Sequence, residues 1–257
     1  MIGRYFSVAA GLSRRLLDSF LSSPALFLPP MLMPLFFFVA FAGGLSAVSE
    51  APGFDYPGGY TAFEFGFVLL QAAAFGGVFT GFSIAADFQF GFGRRLLLAA
   101  PHRSALLLGY WMLAIVRAAI TLAVVTAVAL AAGMNVGGGA TELVAMYSLA
   151  GIVNIAGTLF AAGVALRFRS LQATPVMMVP TFLFLFLAPV YVPRELLGGW
   201  VHTVSAFDPA TPIMEAGRNL LAGQPADFLQ ALGIALALAA ALAFFAIRGL
   251  RKAEAAG

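Results

Sequence analysis

Between residues 87 and 104 the sequence reads DFQFGFGRRLLLAAPHRS, with glycines and arginines close together. Those are the materials of a phosphate-binding loop. A nucleotide loop of the G-x-x-x-x-G-K-[ST] type needs a lysine that reaches the β- and γ-phosphates. The only lysine is Lys252, near the end of the chain, and no G-x-G-x-x-G pattern sits there between a strand and a helix. Nucleotide chemistry is therefore absent from this chain. There is no cysteine, and the two histidines, His102 and His202, are far apart, so no metal site is expected. What remains is a handful of polar groups inside apolar stretches: Glu64, Gln71, Arg117 and Asn154. Ion-coupled carriers place ionisable residues at such depths as relays. These four form no continuous carboxylate relay.

The elements that must carry these groups follow from composition. Of 257 residues 61% are hydrophobic and only 10% charged, and the mean hydropathy is +0.96. Soluble domains carry about 25% charged residues, so hydrocarbon is the main solvent here. A span needs roughly 20 mostly apolar residues. Six segments qualify, near Pro24–Val48, Tyr60–Ala86, Ala105–Ala132, Thr141–Leu166, Pro175–Val192 and Phe228–Ile247. The expected fold is an all-α membrane protein of six transmembrane helices in a single transmembrane domain. Residues 1–23 precede the spans, 24–192 hold the first five, 193–225 lie outside, 226–248 hold the sixth, and 249–257 form a tail. No internal repeat or domain linker interrupts this order.

In the opening stretch Tyr5, Ala9, Leu12, Leu16 and Phe20 fall at helical spacing, while Arg4, Arg14, Arg15 and Asp18 break any signal-peptide core. Such a helix suits the membrane interface; an ordinary helix before the first span is the plainer reading. Charge sets the orientation. One side collects Arg4, Arg14, Arg15, Arg94, Arg95, Arg103, Arg167, Arg169, Arg248, Arg251 and Lys252, which are 11 of the 14 basic residues. The other side holds Glu50, Asp55, Glu142, Glu195, Asp208, Glu215 and Asp227 with Arg194 and Arg218. The expectation is a multi-pass protein of the cell membrane with both termini cytoplasmic. The 14 basic residues are spread too thinly for nucleic acid.

Within that topology the loop 87–104 is cytoplasmic. Gly93 opens a short helix over Arg94–Ala100 and Pro101 ends it. On its residues alone it reads equally as a docking element or as a loop anchored to anionic lipid. Glu64 lies roughly 8 Å deep and Arg117 roughly 18 Å from the opposite face at 1.5 Å per residue, similar levels on antiparallel neighbours. An ion pair between them is one expectation; Arg117 facing an aqueous cavity or a dimer interface is the other. Gln71 and Asn154 read as interhelical hydrogen bonds or cargo contacts. The small-residue runs GGVFTG (76–81) and GTLFAAG (157–163) permit close helix approach, within the chain or between two copies. Phe-rich LFFFVAF and FLFLFL face lipid or cargo.

The stretch GFGRRLLLAAPHRSALLLGY resembles the cytoplasmic loop of type-2 ABC exporter permeases, the class that includes daunorubicin-type drug exporters. The second stretch, PTFLFLFLAPVYVPRELLGGWVHTVSAFDPATPIMEAGRNLLAG, is similar to that family's end. Together with six spans and the amphipathic start, the resemblance covers essentially the whole chain. It implies a pair of permease chains, identical or paralogous, each docked on a cytoplasmic ABC ATPase. That partner would hold the ATP and Mg; this chain would carry no cofactor and be no enzyme. Gly93, Arg94, Arg95, Leu96, Pro101, His102 and Arg103 would form the ATPase-coupling helix between spans two and three. Pro193, Glu195, Trp200, Asp208, Pro209, Thr211, Pro212, Glu215 and Arg218 would form extracytoplasmic re-entrant helices before span six. The implied function is export of an amphiphilic or hydrophobic substrate such as a drug or lipid, with membrane lipid as the surrounding partner. A gradient-driven carrier or a non-transporting scaffold are the rival classes.

Overall fold

The computed structural model describes residues 2–99 and 104–255, and all of its regular elements are helical. Helix α1 spans Ile2–Ser22 and α2 Pro24–Gly44, with α3 at Gly59–Gln89 and the short α4 at Phe92–Ala99. Helices α5 (Ser104–Ala131) and α6 (Ala140–Phe168) follow, then α7 (Thr174–Phe186), α8 (Gly199–Ser205), α9 (Ala210–Leu221) and α10 (Phe228–Ala255). Five of these, α2, α3, α5, α6 and α10, are long and apolar enough to cross a membrane.

The expected fifth span, Pro175–Val192, is only partly helical. Its helix, α7, has 13 residues, about 20 Å at 1.5 Å per residue and short of a ~30 Å hydrocarbon core. Pro189 explains the stop, since a proline disfavours helical backbone in the residue before it and clashes with the carbonyl four residues back. The chain nonetheless travels the length of α3. Leu171 donates its N–H to Gln89 Oε1 at one end of α3, and Tyr60 at the other end donates to the Tyr191 carbonyl.

Helix α3 is the axis of the bundle, buried along almost its whole length. It contacts α2, α5, α6, α7 and α9. Its tightest partner is α6. A Cβ on Gly77 would collide with the backbone of Gly157 and Thr158, and one on Gly157 would sit 2.6 Å from the Ala74 carbonyl oxygen. The two small-residue runs thus serve packing within the chain. Helix α2 turns Pro30, Pro34 and Phe38 inward at four-residue spacing. Both Phe-rich stretches contribute to the core: Phe186 lies 5.6 Å from Phe37 and 5.3 Å from Phe67, and Phe182 lies 4.7 Å from Phe75. Phe36, by contrast, faces outward.

Helix α1 buries Ala9, Leu12, Leu16 and Phe20, the stripe expected of an amphipathic helix. It lies along the first half of α5, where Gly109 leaves room for the Ala9 carbonyl and Leu12 of α1. The loops sort into two ends. At one end Tyr56 donates to the Arg218 carbonyl, and the N–H groups of Gly137 and Gly138 cap the C-terminus of α9 at the Leu221 carbonyl. At the other end Arg15 of α1 meets Asp87 of α3, and Arg167 of α6 shares a cleft with Arg248 of α10. The Arg167–Arg248 cleft lies at the same end of the bundle as the Arg15–Asp87 pair, since Leu171 just after α6 reaches Gln89 at the end of α3.

Candidate functional site

Helix α4 begins at Phe92, so Gly93 lies in its first turn instead of preceding it. The absence of a side chain there is a packing requirement. A Cβ would stand 2.7 Å from the Phe88 ring. Leu97 is buried and Leu96 half-buried, while Arg94, Arg95 and Leu98 are exposed, Leu98 by 81%. The helix thus presents two cations and a leucine away from the bundle. Pro101, His102 and Arg103 lie outside the described residues.

A polar junction fixes the root of α4. Arg15 Nη2 lies 2.7 Å from each Asp87 oxygen, Tyr110 donates its hydroxyl to Asp87 Oδ2 at 2.6 Å, and the Arg15 guanidinium stacks 3.9 Å over the Phe92 ring. Four elements, α1, α3, α4 and α5, are tied together at one point. Asp87 is 13% exposed and Arg15 40%, so solvent screens the pair only in part. The sequence reading counted Arg15 only among the basic residues of one side and of the first helix, and gave Asp87, Tyr110 and Phe92 no role. Asp87 carried a signal, being one of the few acids among the clustered arginines.

At the opposite end a cavity of about 680 Å³ is lined by Pro193, Glu195, Asp208, Pro209, Thr211, Pro212, Glu215 and Arg218. These are eight of the nine residues expected to act together there. Trp200 is the exception, on α8 and 68% exposed. Arg218 holds the region in place. Its Nε donates to the Phe63 carbonyl at 2.9 Å, Nη1 to Pro189 at 2.7 Å and Nη2 to Val190 at 2.9 Å, and the guanidinium lies 3.4 Å over the Phe63 ring. It thereby joins α9 to α3 and to the non-helical segment after α7. Burial lowers its pKa to about 10, which leaves it charged near neutrality. Asp208 Oδ1 accepts the Ala210 N–H at 3.0 Å at the start of α9, while Oδ2 has no partner. Burial raises its pKa to about 6 against the opposing pull of that hydrogen bond. Glu215 is likewise raised by burial, and Tyr56 to about 12, with Arg218 pulling each back.

The buried polar residues separate. Asn154 donates from Nδ2 to the Ala73 carbonyl at 2.9 Å, an interhelical bond from α6 to α3. Gln71 is fully buried, and neither its Nε2 nor its Oε1 has a partner. The expected Glu64–Arg117 ion pair is not formed. Both Glu64 oxygens lack a hydrogen-bond partner, and the cation anchored at this end of α3 is Arg218, on the Phe63 carbonyl. The reason is register. Tyr110 hydrogen-bonds Asp87 across the antiparallel α3–α5 pair, which sets Arg117 near position 80 of α3. Glu64 is some 16 residues away, about 24 Å along the helix. Depth counted from assumed span edges could not reveal that offset. Arg117 instead lies over Phe20 of α1 at 4.7 Å. A cation at the centre of a bilayer costs about 2.5–3.5 kcal/mol on insertion scales, and a cation–π contact returns about 0.5–2 kcal/mol of that.

The sequence profile described as ABC-2 type transporter matches residues 7–222. The chain belongs to the ABC-2 type transporter family. No curated protein matches the chain. As a multi-pass ABC-2 permease it is the membrane-spanning transport subunit of an ABC transporter, and permeases of this family generally work with an ATPase subunit. The matched residues of this permease run from α1 to just past the end of α9, so α4, the Arg15–Asp87 junction and the Arg218 clamp all fall inside the family domain.

Proposed function

We propose that this permease drives ATP-powered export of an amphiphilic or hydrophobic molecule across the cell membrane, as one of two paired permease chains. A separate ATPase holds ATP and Mg. In this reading the chain makes six crossings, with Leu171–Tyr191 as the fifth, and both termini are cytoplasmic. Helix α4 is the coupling helix and 193–227 caps the outer exit.

The observation that carries the reading is the build of α4. Its inner face is locked by Phe88 against Gly93 and by Arg15 against Phe92, while Arg94, Arg95 and Leu98 stand free. A surface helix held rigidly at its root is suited to transmitting force from a partner. ATPase closure would push α4, and the junction would pass the displacement to α1, α3 and α5 together. At the outer end Arg218 would make α9, α3 and the end of the fifth crossing move as one body.

The test is co-purification with an ABC ATPase co-expressed with this permease. Arg94→Ala/Arg95→Ala/Leu98→Ala is expected to abolish both assembly and stimulation of ATP hydrolysis, while the permease itself stays folded because all three side chains are exposed. Unchanged assembly and unchanged stimulation in that variant would refute the coupling role of α4.

A further inference from the structure

A second cavity, of about 440 Å³, opens between α1, α2, α3 and α5, on the side of the bundle where α4 is rooted. That volume lies in the range of about 300–1,000 Å³ typical of small-molecule sites. Its walls are apolar: Phe20 from α1, Leu26, Pro29 and Pro30 from α2, Phe79 and Phe82 from α3. Three charged side chains also reach it, Arg15, Asp87 and Arg117. The first two satisfy each other at 2.7 Å. Arg117 is left over. It is only 3% exposed, its Nε has no hydrogen-bond partner, and no described carboxylate pairs with it. The Phe20 ring covers one face of its guanidinium and leaves the donor edge free.

A guanidinium is always protonated and offers a planar fork of donors that fits carboxylate or phosphate oxygens. In a low-dielectric cavity a charge without a partner attracts an anion far more strongly than in water. The lining carries one net positive charge, which disfavours a cationic ligand, and a neutral one could accept hydrogen bonds from the fork but would leave its buried charge uncompensated. A free inorganic anion would leave the aromatic and prolyl walls unused. We propose that this cavity binds an anionic amphiphile: Arg117 holds its phosphate or carboxylate head, and the walls from α1, α2 and α3 enclose the adjoining part of its chain. That the bound molecule is the exported cargo rests on the export reading above. The binding itself does not.

The experiment uses the full chain in phosphatidylcholine nanodiscs without ATPase. The probe is dodecyl phosphate bearing a diazirine on its alkyl chain, with covalent labels mapped by peptide mass spectrometry. Saturable labelling between Phe79 and Ala86 is expected. Unlabelled dodecyl phosphate should displace it, whereas dodecyltrimethylammonium and inorganic phosphate should not. Arg117→Gln should weaken binding about tenfold or more, the usual effect of losing a charged hydrogen bond, and Arg117→Lys should retain most of it. Ser19→Phe introduces bulk at an exposed position on the lining and should block labelling without touching the arginine. Equal labelling of Arg117→Gln or Ser19→Phe overturns the proposal, as does displacement by the ammonium amphiphile. Displacement by inorganic phosphate alone assigns the site to a free anion and overturns the amphiphile. Failed labelling with intact ATPase docking removes the site and leaves the permease reading standing; labelling without docking does the reverse.

Discussion

Separating Arg15 from Asp87 should loosen the root of α4, and a double-mutant cycle measures by how much. Coulomb's law bounds the interaction. At about 4 Å between charge centres and an effective dielectric near 20 it is about 4 kcal/mol, while exposed pairs measure only about 0.2–1 kcal/mol. Asp87 is 13% exposed and Arg15 40%, with both Asp87 oxygens at 2.7 Å from Arg15 Nη2. The pair sits between those limits, and a coupling of about 1.5–2 kcal/mol is expected. Removing Asp87 also deprives the Tyr110 hydroxyl of its acceptor. Asp87→Ala should therefore destabilise more than Arg15→Ala, by about 1 kcal/mol. The assay is unfolding in mixed dodecyl maltoside and SDS micelles for wild type, Arg15→Ala, Asp87→Ala and the double variant. The same four proteins, assembled with ATPase, should show stimulation of ATP hydrolysis falling in step with stability of the junction. A coupling energy within about 0.3 kcal/mol of zero, the ordinary scatter for independent sites, would refute the claim that this junction ties α4 to the bundle.

The pH dependence of the end of the bundle that Arg218 holds together should trace to Asp208. Its pKa in the folded chain is raised from 3.8 to about 6, so the fold binds this proton more tightly than the unfolded chain does. Stability is then greatest below the unfolded pKa and falls as pH rises from about 4 to about 6, by of order 1–2 kcal/mol once screening in the cavity is allowed for. Asp208→Asn keeps an acceptor for the Ala210 N–H and should flatten thermal-melt midpoints measured between pH 4 and pH 7. A wild-type midpoint that rises over that interval contradicts the assignment. At the α3–α6 contact, Gly77→Ala places a methyl group against the backbone of Gly157 and Thr158. It should destabilise by about 1–3 kcal/mol as an overpacked core does, whereas Gly151→Ala, with open space around it, should change the same unfolding curve little.

Much of this architecture follows from local pattern. The apolar runs of α2, α3, α5, α6 and α10 are long enough to show in composition alone, because a bilayer demands whole helices of a set length. The short helix after Gln89 was legible from a run of helix formers, which act through neighbouring residues. The segment from Pro193 to Arg218 was grouped by the family resemblance, and eight of its nine named side chains line one cavity. The proline at 189 also announced where α7 would stop, although hydropathy carried the predicted span past it.

Pairing of charges was decided by tertiary structure alone. A sequence assigns a residue an approximate depth, but a partner also requires the right azimuth on the helix and the right register against its neighbour. Glu64 and Arg117 met the depth criterion and fail the register set by Tyr110 against Asp87. Arg218 and Phe63 are separated by most of the chain and come together because Gly66 leaves room for the Arg218 side chain beside α3. The same holds for Arg117. Its charge and burial were foreseeable from its place in an apolar helix, whereas the aromatic-walled cavity beside it exists only because α1 and α2 fold back against α3 and α5.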